Sequence, residues 1–129
     1  MKKRVKIKVI LILIITFIWV VFIYIACKQA RNERIFTTEK WIEAPTTKRY
    51  LMIDDLEENY ELIGMSNAEI EELLGGCCVV YDPNRETNDS DYYWGYTIRE
   101  DFWEGDEVLL IHFKDNKVVK VEKEYLSYL

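Results

Sequence analysis

One histidine, His112, is the side chain best suited to acid–base chemistry in this sequence. It could act as base for a hydroxyl or thiol nucleophile, but such catalysis needs a second group within hydrogen-bond reach. His112 lies in the alternating run VLLIHFK, on the side opposite Leu109, Ile111 and Phe113. A single histidine also cannot form a histidine-rich zinc site. We interpret His112 as a sheet-surface residue and predict no catalytic residue, no metal and no other cofactor.

Acidic and amide side chains alternate in the loop-like run DPNRETNDSD, as ligands do in a calcium loop. These residues are Asp82, Asn84, Glu86 and Asn88. The sixth position of such a loop needs glycine and the twelfth a bidentate glutamate, but the chain has Thr87 and Tyr93 there. An EF-hand is therefore excluded. A weak, adventitious cation site stays open beside a plain polar loop.

Paired acids such as Asp54/Asp55 and Glu100/Asp101 would serve catalysis only if two carboxylates met in a cleft with separated pKa values. A small domain with helices on one sheet face offers little cleft, so we predict neither an enzyme nor a small-molecule site. Charge argues against a nucleic-acid partner, because phosphate contacts need a basic surface. From Lys28 onward the chain has 12 basic and 23 acidic residues, which gives a net charge of −11.

The three cysteines, Cys27, Cys77 and Cys78, form an odd set without CxxC spacing. Adjacent cysteines seldom bridge each other, because the ring strains the peptide between them. The sequence therefore indicates neither a disulfide framework nor a zinc site. The redox state of Cys77 and Cys78 stays open.

The amino terminus carries the clearest targeting signal. Val9–Ala26 is 18 residues without charge and follows the basic leader MKKRVKIK. A helix of this length spans about 27 Å, close to the hydrocarbon thickness of a bilayer. The leader predicts a cytoplasmic amino terminus and an extracytoplasmic domain after residue 27, with the membrane contacted through Val9–Ala26.

Two alternatives to a retained single-pass anchor remain. Ala26-Cys27 resembles the end of a bacterial lipoprotein signal, which would make Cys27 a lipidation site, although Tyr24 replaces the expected aliphatic residue. A cleaved signal would require a small residue where Tyr24 or Lys28 stands. All three interpretations place the domain outside the cytoplasm.

The sequence divides into residues 1–27 (leader and anchor), 28–45 (juxtamembrane linker) and 46–129 (a single domain). Within the linker, Phe36 and Trp41 are expected to cover the edge of the domain without forming an element. A first helix is predicted from Thr46 or Thr47 to about Glu58.

The second helix has the clearest local signals, in LIGMSNAEIEELLGG. Ser66 and Glu69 form a predicted capping box, Ile70 and Leu74 face one side, and a glycine ends the helix.

Three strands follow, at Tyr92–Ile98, Glu107–Phe113 and Val118–Lys123, with Arg99–Asp106 as a charged connection. A three-residue turn (Asp115, Asn116, Lys117) with a positive-φ residue is expected in the last hairpin. It sets Phe113 opposite Val119 and Ile111 opposite Val121, which keeps one face apolar. The fold class is α+β: a transmembrane helix, then two short helices on one face of a three-stranded antiparallel sheet, in the order α-α-β-β-β.

The segments LIGMSNAEIEELLGG, YYWGY and VLLIHFKDNKVVKVE resemble the small bacterial envelope domains of the BamE (SmpA/OmlA) type over about residues 50–122. That fold is shared with the repeats of β-lactamase-inhibitor proteins. The resemblance implies a non-catalytic, membrane-tethered domain of the cell envelope that binds another envelope protein.

With helices on one face of the sheet, the other face is expected to be open for a protein partner. The predicted partner-binding residues are Tyr93, Thr97, Leu110 and His112 on this face, with Val118 beside them, and Trp103 in an adjoining loop. Inhibition of a secreted or envelope enzyme is the alternative function, and a small hydrolase or cation-binding module is a more remote one.

Overall fold

The computed structural model describes residues 2–76, 79–81 and 91–127. The chain forms two compact units, Met1–Glu33 and Arg34–Leu129. Helix α1 (Lys2–Arg34) is 33 residues long, and none of its residues is buried against protein. It is long and apolar enough to cross a membrane, a property that a signal sequence shares. The predicted span Val9–Ala26 lies inside it.

The segment after α1 forms an element that we did not predict. Helix α2 (Thr38–Glu43) begins at Thr37, whose hydroxyl accepts a hydrogen bond from the Lys40 amide at 3.2 Å. Phe36 and Trp41 are fully buried in the core. The expectation that this stretch only covers the domain's edge is therefore wrong. A six-residue helix is too short to be stable alone, so it depends on the burial of Trp41.

The first predicted helix begins after Thr46 and Thr47, the two residues at which its start was predicted. Thr46 and Thr47 lie in a turn, a 3-10 helix follows at Arg49–Met52, and α3 covers Ile53–Asn59. Residues 52, 53 and 56 are buried and pack on the core, whereas Tyr50 is 40% exposed.

Helix α4 (Asn67–Leu74) confirms the capping-box prediction. The Glu69 amide donates to Ser66 Oγ at 3.3 Å, and the Ser66 amide donates to Glu69 Oε2 at 2.7 Å. The second bond stabilises the carboxylate and lowers the pKa of Glu69 below its ordinary value. Gly75 ends the helix with a φ of +75°.

The sheet is antiparallel with strand order β1-β2-β3-β4. Its strands are β1 (Val79–Tyr81), β2 (Tyr92–Asp101), β3 (Gly105–Lys114) and β4 (Lys117–Ser127). The α+β class and the three predicted strands are confirmed, and the short β1 adds a fourth strand at one edge. Strands β2 to β4 are longer than predicted, and most of the expected connection, Arg99–Asp106, is paired strand.

The alternation that predicted one apolar face is confirmed. Side chains on this face form the core with α2, α3 and α4. The sheet contributes Trp94, Tyr96, Ile98, Leu109, Ile111, Phe113 and Val118. The Tyr96 hydroxyl donates to the Gly75 carbonyl at 2.9 Å, which joins the centre of the sheet to the end of α4.

The predicted turn of the last hairpin is wrong in length. Lys114 pairs with Lys117, so the loop has two residues, Asp115 and Asn116, with φ of 50° and 63°. The predicted positive φ is present, at both positions. Two consecutive left-handed residues suit the strand twist better than a longer turn does.

A β-bulge compensates for the turn being one residue shorter than predicted. Phe113 pairs with Val118, Val119 is the additional residue, and Ile111 pairs with Val121 as predicted. The prediction that Val118 lies on the open face is therefore wrong. Its side chain is 1% exposed in the core, whereas Val119 is 45% exposed.

We expect Ser66→Ala to lower the free energy of unfolding by about 1 kcal/mol, because the Glu69 amide loses its acceptor. Urea unfolding of the full chain in detergent, followed by tryptophan fluorescence, measures the change. Ser66→Thr is the control, because it keeps the hydroxyl and should lose much less. Equal losses in the two variants would contradict a capping role.

Candidate partner-binding surface

Four of the five predicted partner-binding residues share the sheet face opposite the core. Tyr93 pairs with His112 across β2 and β3, Leu110 pairs with Gly95, and Thr97 lies further along β2. All four side chains are half-buried. The structure therefore brings these four together, as predicted from their alternation.

His112 is held by packing on this face. Its ring stacks on Tyr93, with centroids 4.2 Å apart and an interplanar angle of 18°. His112 Nε2 lies 4.0 Å from Asp91 Oδ2, with each side chain 21% exposed. That distance is too long for a hydrogen bond, so Asp91 does not orient the ring as a catalytic partner would. No local pattern in the sequence indicated that Asp91 would lie beside His112.

Other candidate sites stay as predictions. No group of three His, Cys, Asp or Glu side chains that could hold a metal ion occurs among the residues described. The possible cation loop, Asp82–Asn88, and the pair Cys77 and Cys78 lie outside them. Cys27 is exposed on α1, and its lipidation is untested.

Trp103, the fifth predicted residue, is not part of the sheet face. It follows the end of β2, whereas Tyr93 is near the start of that strand. Eight residues of extended chain separate Tyr93 from Asp101, about 26 Å. Trp103 belongs instead to a second surface, the β2–β3 tip, which we define as residues 100–107.

The β2–β3 tip presents two adjacent aromatic side chains to solvent. Phe102 is 86% exposed and Trp103 is 82% exposed. Their rings contact each other edge to face, with centroids 5.2 Å apart. The Trp103 amide donates to Asp101 Oδ1 at 3.0 Å, which fixes the turn beneath the rings.

The tip is a rigid projection. Ile98 is the last fully buried residue of β2, and pairing with β3 continues to Asp101↔Gly105. The paired strands therefore extend about 10 Å beyond the core. Strand β4 accompanies them, since Gly105 also pairs with Ser127. Three paired strands support the aromatic rings.

Gly105 permits this close pairing. Its φ is +131°, and an added Cβ would lie 2.1 Å from the Leu126 carbonyl oxygen. Glycine is required at this position because both the backbone conformation and the space exclude a side chain.

The tip is strongly acidic. Five of its eight residues are acidic and none is basic; the acids are Glu100, Asp101, Glu104, Asp106 and Glu107. Glu100 directly opposes Asp106 across the strands, an arrangement of like charges that is normally destabilising. On the helix side of the sheet, desolvation raises the pKa of Tyr125 above its ordinary value. The negative charges of the Glu104 and Asp101 carboxylates raise it further.

A shallow depression of about 100 Å³ lies on the Tyr125 side of the tip. Its lining residues are Arg99, Asp101, Glu104, Gly105, Glu107 and Tyr125. A small-molecule site usually encloses about 300–1,000 Å³. The depression is therefore too small for an organic substrate, and the tip is better suited to surface contact.

Sequence reasoning named Trp103 but missed Phe102 and the acidic pair Glu100 and Asp106. The run EDFWEGDE contained the signal, because two large aromatic residues among five acids are unusual in a connection. Because this run contains few strand-forming residues, the sequence did not predict that β2 and β3 continue into it.

Comparison with known protein families, with curated proteins and with solved structures finds no match to this chain.

We expect Gly105→Ala to destabilise the domain by about 2–4 kcal/mol, because the new Cβ collides with backbone. Gly64→Ala is the matched control: Gly64 also has positive φ, +89°, but nothing lies within 4 Å of the position that its Cβ would take. That variant should lose about 1 kcal/mol from conformational strain alone. Chemical unfolding of both full-length variants checks the difference, and similar losses would argue against close packing at Gly105.

Proposed function

We propose that this protein is a membrane-tethered, extracytoplasmic domain of the bacterial cell envelope that binds another envelope protein and has no catalytic activity. The β2–β3 tip is the principal contact, and the sheet face around Tyr93 and His112 is a second surface. The observation that carries the proposal is the exposure of Phe102 and Trp103 on a rigid three-stranded projection.

Exposed aromatic rings on a rigid support favour binding. Phe and Trp are large anchors at protein interfaces, and full burial of each is worth about 3 kcal/mol. The hydrogen bond from the Trp103 amide to Asp101 fixes the turn before binding, so little ordering entropy is lost there. Two rings contribute roughly 6 kcal/mol, against an association cost of about 4–15 kcal/mol.

Tethering to the membrane offsets part of the association cost. A domain held at the membrane meets an envelope partner at high effective concentration, so weak contacts suffice. The basic leader before Val9 supports an amino terminus in the cytoplasm and a domain outside it. A retained anchor, a lipid at Cys27 and a cleaved signal all give the same location for the domain.

The resemblance to BamE-type domains supports the same function. The order of α3, α4 and β2 to β4 is the α-α-β-β-β order that the resemblance implies. Its motifs concern helix capping and sheet packing, so the proposed contacts come from this chain's own exposed residues.

Inhibition of an extracytoplasmic enzyme is the second candidate, favoured by the shape of the tip. A narrow projection ending in two aromatic rings fits a concave site better than a flat one. If the partner is an enzyme, the inhibitor hypothesis predicts that the tip blocks its active site and lowers its activity. A scaffold would bind elsewhere and leave that activity unchanged.

Photo-crosslinking in native membranes tests the proposed contact. We expect benzoylphenylalanine in place of Phe102, in the full-length chain, to form a discrete adduct with one protein. The matched control is the same substitution at Ile63, an exposed residue between α3 and α4 near the end of β4 that is opposite the tip. Absence of an adduct at position 102, or the same adduct from both positions, would exclude the tip as the principal contact.

The anchor makes a separate prediction. We expect the intact mass of protein purified from membranes to match all 129 residues, 15.5 kDa. A chain that begins at Cys27 with added acyl mass would instead identify a lipoprotein. A shorter unmodified chain would identify a cleaved signal.

A further inference from the structure

Resting on the proposed function, we infer that the tip's partner is a protein surface with an apolar pocket bordered by Lys and Arg side chains. The pocket receives Phe102 and Trp103, and the basic border faces the surrounding acids. This inference names the chemistry of the partner, and it distinguishes a basic protein surface from a lipid bilayer and from a second copy of this chain.

The charge around the rings is the first argument. Residues 100–107 contain five acids and no base, and Glu100 and Glu104, which flank the rings, are both exposed. Strand β4 adds Glu124, which pairs with Val108 just beyond the tip. Arg99, the nearest cation along β2, lies over the Tyr50 ring at 5.2 Å and opposes Glu107, on the helix side of the sheet.

The opposition of Glu100 and Asp106 is the second argument. Like charges directly opposed across two strands cost stability, on the order of a few tenths to 1 kcal/mol. A basic border on the partner would add opposite charge beside these two carboxylates. A basic border would also speed association, because opposite charges steer the encounter.

A bilayer is disfavoured by the same charges. Inserting the rings at the interface would bring the tip's acids within about one Debye length, 8–10 Å, of the lipid headgroups. Carboxylates at that distance are repelled by any anionic headgroup, and this opposes insertion of the rings.

A second copy is disfavoured as well. The chain carries a net charge of −11 from Lys28 onward, so two such domains repel each other.

The experiment combines crosslinking at position 102 with neutral substitutions, in the full-length chain and native membranes. Mass spectrometry identifies the molecule and peptide in the adduct. The test variant is Glu100→Gln/Glu104→Gln. The matched control is Glu71→Gln/Glu72→Gln, which removes the same charge from exposed positions on α4. Both changes are at the surface, and a thermal unfolding curve verifies that each variant folds.

We expect an adduct with a protein peptide that lies beside Lys and Arg residues. The tip variant should lower its yield about tenfold at 50 mM salt, and the control should leave it within about twofold. Raising the salt to 500 mM should reduce the wild-type yield to that of the tip variant.

The other outcomes overturn the inference in distinct ways. An adduct with lipid would identify a bilayer contact, and an adduct with this chain would identify self-association. A protein adduct that is insensitive to both charge and salt would leave the proposed function standing and refute the basic border. No adduct at position 102 in any variant would refute the proposed contact together with the inference.

Discussion

The packing of Trp41 against the centre of the sheet is the interaction on which the domain depends. Its ring lies between Phe36 and Tyr96, at centroid distances of 5.9 and 6.3 Å. The Arg49 guanidinium lies 5.2 Å from the ring centroid, and its Nε donates to the Trp41 carbonyl at 3.1 Å. Removing a buried tryptophan typically costs about 3–5 kcal/mol, a large part of the 5–15 kcal/mol that stabilises a domain.

This aromatic cluster also orders the segment that follows the apolar helix. The Phe36 amide donates to Asp55 Oδ2 at 2.8 Å, and the Phe36 ring contacts Tyr60 at 5.2 Å. These contacts tie the start of the folded unit to α3. The folded unit, Arg34–Leu129, therefore includes the residues that directly follow α1 in the sequence.

The sheet has two parts with different physical roles. Where the helices cover the sheet, one side of β2 and β3 is largely buried, and the other side is half-buried except at Gly95 and Val108, which are buried. Beyond Ile98 the register shifts at a β-bulge before Arg99, and the strands continue without helices over them. The extension carries opposed acids and two exposed rings, features that do not stabilise an isolated domain. Paired backbone on three strands holds it in place, and this is the physical basis for the binding role that we propose for it.

The amino-acid sequence by itself determined the features that rest on local physics. The capping box at Ser66, the apolar character of α1 and the alternation of β2 and β3 follow from neighbours a few residues apart, and all are present. Tertiary packing decided the rest. The two-residue turn at Asp115 is compatible with a single apolar face because a bulge at Val119 restores the pairing of Ile111 with Val121.

Helix α2 and the β2–β3 tip also depend on tertiary packing that local sequence patterns do not specify. A six-residue helix forms because Trp41 finds a pocket made by distant residues, which no local pattern specifies. Likewise, the period of two along the strands placed four of the predicted surface residues on one face, whereas Trp103 could be assigned only to an adjoining loop. A loop residue has no such period, so its position depends on how far the flanking strands pair.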